Sequence, residues 1–122
     1  MKDIVFGVDI GGTTIKMGMF KGDVNSPENM TLTDKCEIPT NTAEGGKNIL
    51  GDICLSVNKM LEENGIEKAR VYGVGMGIPG PVLDDGRVLG CVNLGFGEIN
   101  IVKEMESRLP DIIVKAGNDA NV

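Results

Sequence analysis

There is no histidine anywhere among the 122 residues. Histidine-based triads, histidine-ligated zinc and histidine acid–base chemistry are therefore excluded within this chain. Cysteine is scarce as well: Cys36, Cys54 and Cys91 are odd in number, far apart and without a Cys-x-x-Cys pair. They read as reduced structural thiols. A basic block is missing too, and 12 Lys+Arg against 18 Asp+Glu leaves a net charge of −6. Such a balance suits neither nucleic acid nor an anionic membrane as partner. No stretch approaches the roughly 18 consecutive apolar residues of a membrane span, and Met1-Lys2-Asp3 leads straight into a strand-like run. The expectation is a cytoplasmic protein with no leader, span or appended DNA-binding arm.

What is present is a globular composition, 41% hydrophobic and 25% charged, long enough for one domain with a core and too short for two. Glycine is abundant. Its 18 residues are about twice the usual share and cluster beside apolar runs, as in sheets whose backbone approaches a ligand.

Residues 4–10 are nearly continuously apolar and suit a buried strand. Gly11-Gly12-Thr13-Thr14 breaks that run, and Ile15, Met17 and Met19 then alternate with Lys16, Gly18 and Phe20 as a second strand, which predicts a hairpin. Residues 21–30 are a polar loop, and a third strand is expected over 31–38, ended by Pro39. From about Ala43 to Asn64 the period changes: Ile49, Leu50, Ile53, Cys54, Val57, Met60 and Leu61 fall at helical spacing, and Asn64-Gly65 supplies the stop. Residues 71–78 return to strand, Pro79-Gly80-Pro81 forces irregular backbone, and Asp84-Asp85-Gly86 is a turn before a short strand over 88–92. Asn100 can cap a second helix to about Leu109. A last short strand over 112–115 runs into Gly117-Asn118-Asp119-Ala120-Asn121, a polar turn of the kind that precedes a helix. The order predicts a single α/β domain without repeats, resembling a half that expects another half.

Four segments can carry chemistry. In Asp9-Ile10-Gly11-Gly12-Thr13, adjacent glycines at a strand–turn–strand junction let successive N–H groups face one concavity suited to phosphate oxygens. Asp9 would repel phosphate unless a divalent cation lies between them, which implies Mg²⁺. Lys16 can reach the same phosphates. The same residues would also serve a plain hairpin with an exposed carboxylate and lysine. Gly75-x-Gly77-x-x-Gly80 has the letters of a dinucleotide fingerprint, but that motif needs a helix opening after it, and Pro79 and Pro81 give loop instead. A Walker A loop is absent, since Gly45-Gly46-Lys47 is followed by Asn48. Gly77-Ile78-Pro79-Gly80-Pro81-Val82 is better read as a rigid loop at the carboxyl end of a strand, with Asn93 near it. Its neutral donors and acceptors suit sugar hydroxyls, or it is simply a Pro-Gly corner. In Asn118-Asp119-Ala120-Asn121 one carboxylate sits between two amides. It can accept a proton from an attacking hydroxyl, or cap a helix.

Taken in order, these residues resemble the ROK family (repressors, open reading frames and sugar kinases), nearest to its bacterial glucokinases. The segment Asp9-Ile10-Gly11-Gly12-Thr13-Thr14-Ile15-Lys16 is similar to the family's first phosphate motif. Residues Gly73 to Val82 are similar to its sugar-loop strand, Asn93-Leu94 to the segment after it, and Asn118 to Asn121 to its catalytic signature. The resemblance implies a ribonuclease-H-like, actin-like α/β domain with a mixed sheet and flanking helices. It makes residues 1–122 the amino-terminal domain of a two-domain kinase closing over ATP, Mg²⁺ and a hexose, with homo-oligomers expected. By the same resemblance Asp119 is the general base for the sugar's 6-hydroxyl, and Gly80, Asn93 and Asn118 are hexose contacts. Asp9, Gly11, Gly12, Thr13 and Lys16 face phosphate, with Asp9 on Mg²⁺ through water. Gly117 stands where an acidic residue is common. The helix opened by the signature, the Glu/His sugar ligands, the zinc motif and the adenosine region of the family are not in this sequence. Zinc is therefore expected only in the missing half, and the chain alone is expected to be inactive. The choice of hexose, and of ATP or polyphosphate as donor, stays open. Alternatives are a sugar-sensing repressor, a non-catalytic sugar-binding or regulatory module, and another branch of the fold such as acetate kinases or Hsp70-like ATPases.

Overall fold

A computed structural model describes residues 2–41, 48–78, 87–88 and 99–118. Strands β1 (Ile4–Ile10), β2 (Thr14–Lys21) and β3 (Thr31–Pro39) form an antiparallel meander, followed by helix α1 (Ile49–Glu63) and strand β4 (Val71–Ile78). A two-residue strand pair, β5 (Arg87–Val88) with β6 (Ile99–Asn100), leads into helix α2 (Ile101–Arg108) and strand β7 (Ile113–Asn118). The main sheet has the order β3-β2-β1-β4-β7. Its β1/β2 and β2/β3 pairs are antiparallel, and its β1/β4 and β4/β7 pairs are parallel.

The core lies on one face. Alternation along β1 and β2 sends Ile4, Phe6, Val8, Ile10, Ile15, Met17 and Met19 inward, where they meet Val74, Met76 and Ile78 of β4 and Val114 of β7. Both helices contribute to this same cluster. All seven residues of the helical stripe read from the sequence are buried on α1, and α2 adds Ile101 and Met105. Sulfur contacts tie the layers together: Cys36 Sγ lies 3.7 Å from Met60 Sδ, and Cys54 Sγ 3.8 Å from Met105 Sδ. Burial pushes both thiols up from their ordinary range, so neither is an activated nucleophile. Cys91 lies outside the described residues.

The helix ends follow local chemistry. Gly65 has φ +64°, and the Gly65 and Ile66 N–H groups donate to the carbonyls of Glu62 and Leu61, a Schellman closure of α1. The Asn100 side chain accepts from the Lys103 N–H at 3.0 Å and caps α2. Several boundaries differ from expectation, two of them at the carboxyl ends of strands. β3 includes Pro39, opposite Thr14, as an edge strand allows. β7 runs on through Gly117 and Asn118, which a local reading assigns to a turn, because they continue the parallel register against Gly77 and Ile78. The described part of α1 begins at Ile49; the expected helical residues 43–47 lie outside it, as do the turn at 84–86 and the strand beyond Val88.

The opposite face of the sheet carries no helix among the described residues. Gly18, Gly7 and Gly75 stand directly across from one another on β2, β1 and β4, with Lys35 and Lys115 continuing the row on β3 and β7. Beside this row runs an apolar one, Leu32, Phe20, Val5, Gly73 and Ile113. The result is a shallow depression of about 850 Å³ with a glycine floor.

Candidate phosphate and sugar site

The parallel pairing of β1, β4 and β7 brings their carboxyl ends to one edge of the sheet, where open α/β sheets place ligands. Asp9, Gly77 and Gly117 are aligned across the three strands, and Ile78 pairs with Asn118 one residue further on. The glycine hairpin after β1 therefore lies beside the carboxyl ends of β4, at Ile78, and β7, at Asn118, while the candidate residues that follow those two strands lie outside the described residues. At about 4.8 Å per strand, the exits of β1 and β7 are about 10 Å apart, a separation that a sugar and a terminal phosphate can bridge.

The hairpin is the best-defined part. The Gly11 N–H donates to the Thr14 carbonyl at 2.9 Å, and a Cβ at Gly11 would stand 2.8 Å from that same oxygen, so the turn admits only glycine there. Thr40, just past β3, donates twice: its N–H to the Thr13 carbonyl at 2.9 Å and its Oγ1 to the Gly11 carbonyl at 2.8 Å. Gly12 and Thr13 at the tip are exposed, and their N–H groups hold no hydrogen bond among the described residues. The Gly11, Thr13 and Thr14 carbonyls are thus engaged within the protein while two adjacent N–H groups are left without a bond, an arrangement that suits an anion.

Asp9 and Lys16 are exposed cross-strand partners on the outer face, and Glu37 is opposite Lys16 on β3. The charges alternate along this row, and Lys16 forms no ion pair among the described residues. No cluster of three metal-ligating side chains occurs among them either. A single exposed carboxylate beside a hairpin with unbonded N–H groups is nevertheless a donor set that would fit Mg²⁺, which keeps most of its waters and takes one or two carboxylates plus substrate phosphates.

The structure brings together Asp9, Gly11, Gly12, Thr13 and Lys16, and sets the backbone of Asn118 at the same sheet edge. Gly80, Asn93 and Asp119 lie outside the described residues. Gly75 and Gly77 are interior residues of β4 rather than a strand-to-helix turn, which agrees with setting the dinucleotide fingerprint aside. Sequence reasoning passes over Thr40. The one local hint is Pro39 before it, which has no N–H to continue the ladder.

Comparison with known proteins decides the family. The ROK family profile matches residues 5–122. The chain belongs to the ROK family. Among curated relatives, a glucokinase from Halalkalibacterium halodurans is 36% identical over 119 residues, covering 95% of this chain and 33% of that protein. A ROK glucokinase from Streptomyces griseus, solved with glucose and AMPPNP, superposes with a TM-score of 0.74 at 28% identity, over 97% of this chain and 34% of its own. A ROK hexokinase from Thermus thermophilus gives 0.76 at 28% identity, over 97% and 36%. The five-stranded mixed sheet with its helices is thus the ribonuclease-H-like, actin-like fold of ROK sugar kinases. The chain spans about one third of the length of these relatives.

Proposed function

We propose that residues 1–122 form the amino-terminal domain of a two-domain, glucokinase-like kinase that moves the γ-phosphoryl group of ATP to the 6-hydroxyl of glucose or a related hexose. The observation that carries this reading is the Thr40-braced glycine hairpin beside Asp9, set on the same sheet edge as the exits of β4 and β7.

In this reading the Gly12 and Thr13 N–H groups and the Thr13 hydroxyl bind phosphate oxygens. Asp9 holds Mg²⁺ through water, and Lys16 adds positive charge. The cation supplies neutralisation of charge on the transferring phosphoryl group. Gly80, Asn93 and Asn118 orient the hexose, and Asp119 takes the proton of the attacking hydroxyl. Most of the catalytic effect is positioning, which a site with few ionisable groups can deliver. The adenosine pocket and any structural zinc belong to the other domain, so the 122-residue chain alone is inactive. A cytoplasmic location and a homo-oligomeric state complete the proposal. Among the described residues no helix is long and apolar enough to cross a membrane.

The test is a coupled assay of the longest polypeptide its gene encodes, with ATP and with polyphosphate, over a panel of hexoses. Hexose 6-phosphate should form, and Asp119→Asn should lower kcat by at least about a thousandfold, on the scale of general-base and positioning losses combined. Absence of phosphorylation with every hexose and both donors would refute the kinase reading in favour of a sugar-binding or regulatory module.

A further inference from the structure

We infer that Thr40 is the positioning residue of the phosphate hairpin: its hydroxyl and N–H hold the Gly11 and Thr13 carbonyls away from the anion and so keep the Gly12 and Thr13 N–H groups aimed at it. The inference rests on the phosphate reading of that hairpin given above.

The argument begins with where each acceptor goes. Each of the four carbonyls of the 11–14 turn would repel a phosphate if it faced it, and all but that of Gly12 are engaged. Thr14 accepts from the Gly11 N–H at 2.9 Å, Thr13 from the Thr40 N–H at 2.9 Å, and Gly11 from Thr40 Oγ1 at 2.8 Å. The first bond is internal to the hairpin. The other two come from a single residue 29 positions away from Gly11 in the chain.

Glycine makes such a brace necessary. Gly11 and Gly12 have the widest backbone freedom of any residue type, and ordering them costs more conformational entropy than ordering a substituted residue. A loop that binds an anion through N–H groups must stay in one geometry, and its own sequence cannot enforce that. Thr40 is well placed to do so. It is half-buried and directly follows Pro39, which pairs with Thr14 as the last step of the β2/β3 ladder. Because Pro39 has no N–H, the first donor available past the ladder is that of Thr40. A second donor on the same residue then reaches over the turn to Gly11.

The hydroxyl bond is separable from the backbone bond. Thr40→Val keeps the shape and the N–H bond to Thr13 and frees the Gly11 carbonyl; Thr40→Ser keeps both bonds. Amide NMR of the longest polypeptide its gene encodes, titrated with magnesium and inorganic triphosphate, reads the loop without any adenosine contribution. Triphosphate should shift the Gly12 and Thr13 amides. Thr40→Val should weaken that binding about five- to tenfold, the loss of about one hydrogen bond, and should speed hydrogen exchange at the Gly11 amide by a similar factor. Thr40→Ser should restore both, and the thermal midpoint of Thr40→Val should fall by no more than about 5 °C, the same single bond at about 4 °C per kcal/mol. A Thr40→Val protein with wild-type exchange, or with faster exchange but wild-type triphosphate affinity, overturns the inference. Failure of Thr40→Ser to restore the wild-type values overturns it equally. If the wild-type chain binds no triphosphate while the exchange pattern follows the hydroxyl, the brace stands and the phosphate reading of the hairpin falls.

Discussion

Gly73 and Gly75 sit on the same strand and the same face, yet alanine should affect them in opposite directions. A Cβ at Gly73 would lie 2.8 Å from the Ile113 carbonyl oxygen of the neighbouring strand. Relieving that overlap requires β4 and β7 to separate there by about 0.7 Å, since carbon atoms sit at about 3.5 Å or more from their neighbours. Gly73 and Ile113 are register partners at the start of the parallel ladder, so the separation is felt by the pairs that follow, from Val74–Val114 onward. Overpacking of this kind costs about 1–3 kcal/mol. A Cβ at Gly75 meets nothing within 4 Å, and replacing a strand glycine with alanine removes an entropic penalty of about 0.5–1 kcal/mol. The two variants should therefore differ by about 1.5–4 kcal/mol, or roughly 6–16 °C in thermal midpoint at about 4 °C per kcal/mol. Urea unfolding and calorimetry of Gly73→Ala, Gly75→Ala and wild type give the comparison. If Gly75→Ala proves as damaging as Gly73→Ala, the outer face of the sheet is not open in solution and the reasoning fails.

Three further outcomes are expected. Asn100→Ala removes the acceptor for the Lys103 N–H and should cost about 1 kcal/mol; Asn100→Asp should retain most of it, as denaturant midpoints would show. The Arg70 guanidinium, hydrogen-bonded to Asp3 at 2.7 and 3.0 Å, holds the Asp3 carboxyl below its ordinary range. A depressed carboxyl pKa stabilises the fold above the unfolded value near 4 and loses that contribution as pH falls through the folded value. The stability gap between wild type and Asp3→Asn should accordingly close below about pH 4, and a gap that widens on acidification would refute this. The apolar row of the outer face includes Leu32 and Ile113, 47% and 45% exposed. Surface of that kind should drive concentration-dependent self-association of the isolated chain, reduced by Leu32→Ser. A sedimentation profile that stays monomeric across concentration would count against it.

Much of the site was legible before any coordinates because its signals are local. Asp9, Gly11, Gly12 and Thr13 announce a turn by residue type, and β1, β4 and the α1 stripe follow from periodicity alone. Asn100 and Gly65 end or begin helices through bonds to residues no more than four positions away. Such contacts are encoded in short windows, so a short window reveals them.

Tertiary structure decided what spans the chain. Apart from Pro39 beside it, nothing near residue 40 indicates that its hydroxyl braces a loop 29 positions earlier. The glycine row formed by Gly7, Gly18 and Gly75 is invisible until strand order and register place those residues opposite one another. Gly117 and Asn118 read locally as a turn, yet the ladder with Gly77 and Ile78 holds them as strand, because pairing with a distant segment outweighs a weak local preference. The sequence by itself determined the three opening strands, β4, both helices with the Gly65 stop and the Asn100 cap, and the family. The order β3-β2-β1-β4-β7 then brought the exits of β1, β4 and β7 to one edge. Hydrogen bonds between strands far apart in the chain are what assemble a site from segments that are each ambiguous alone.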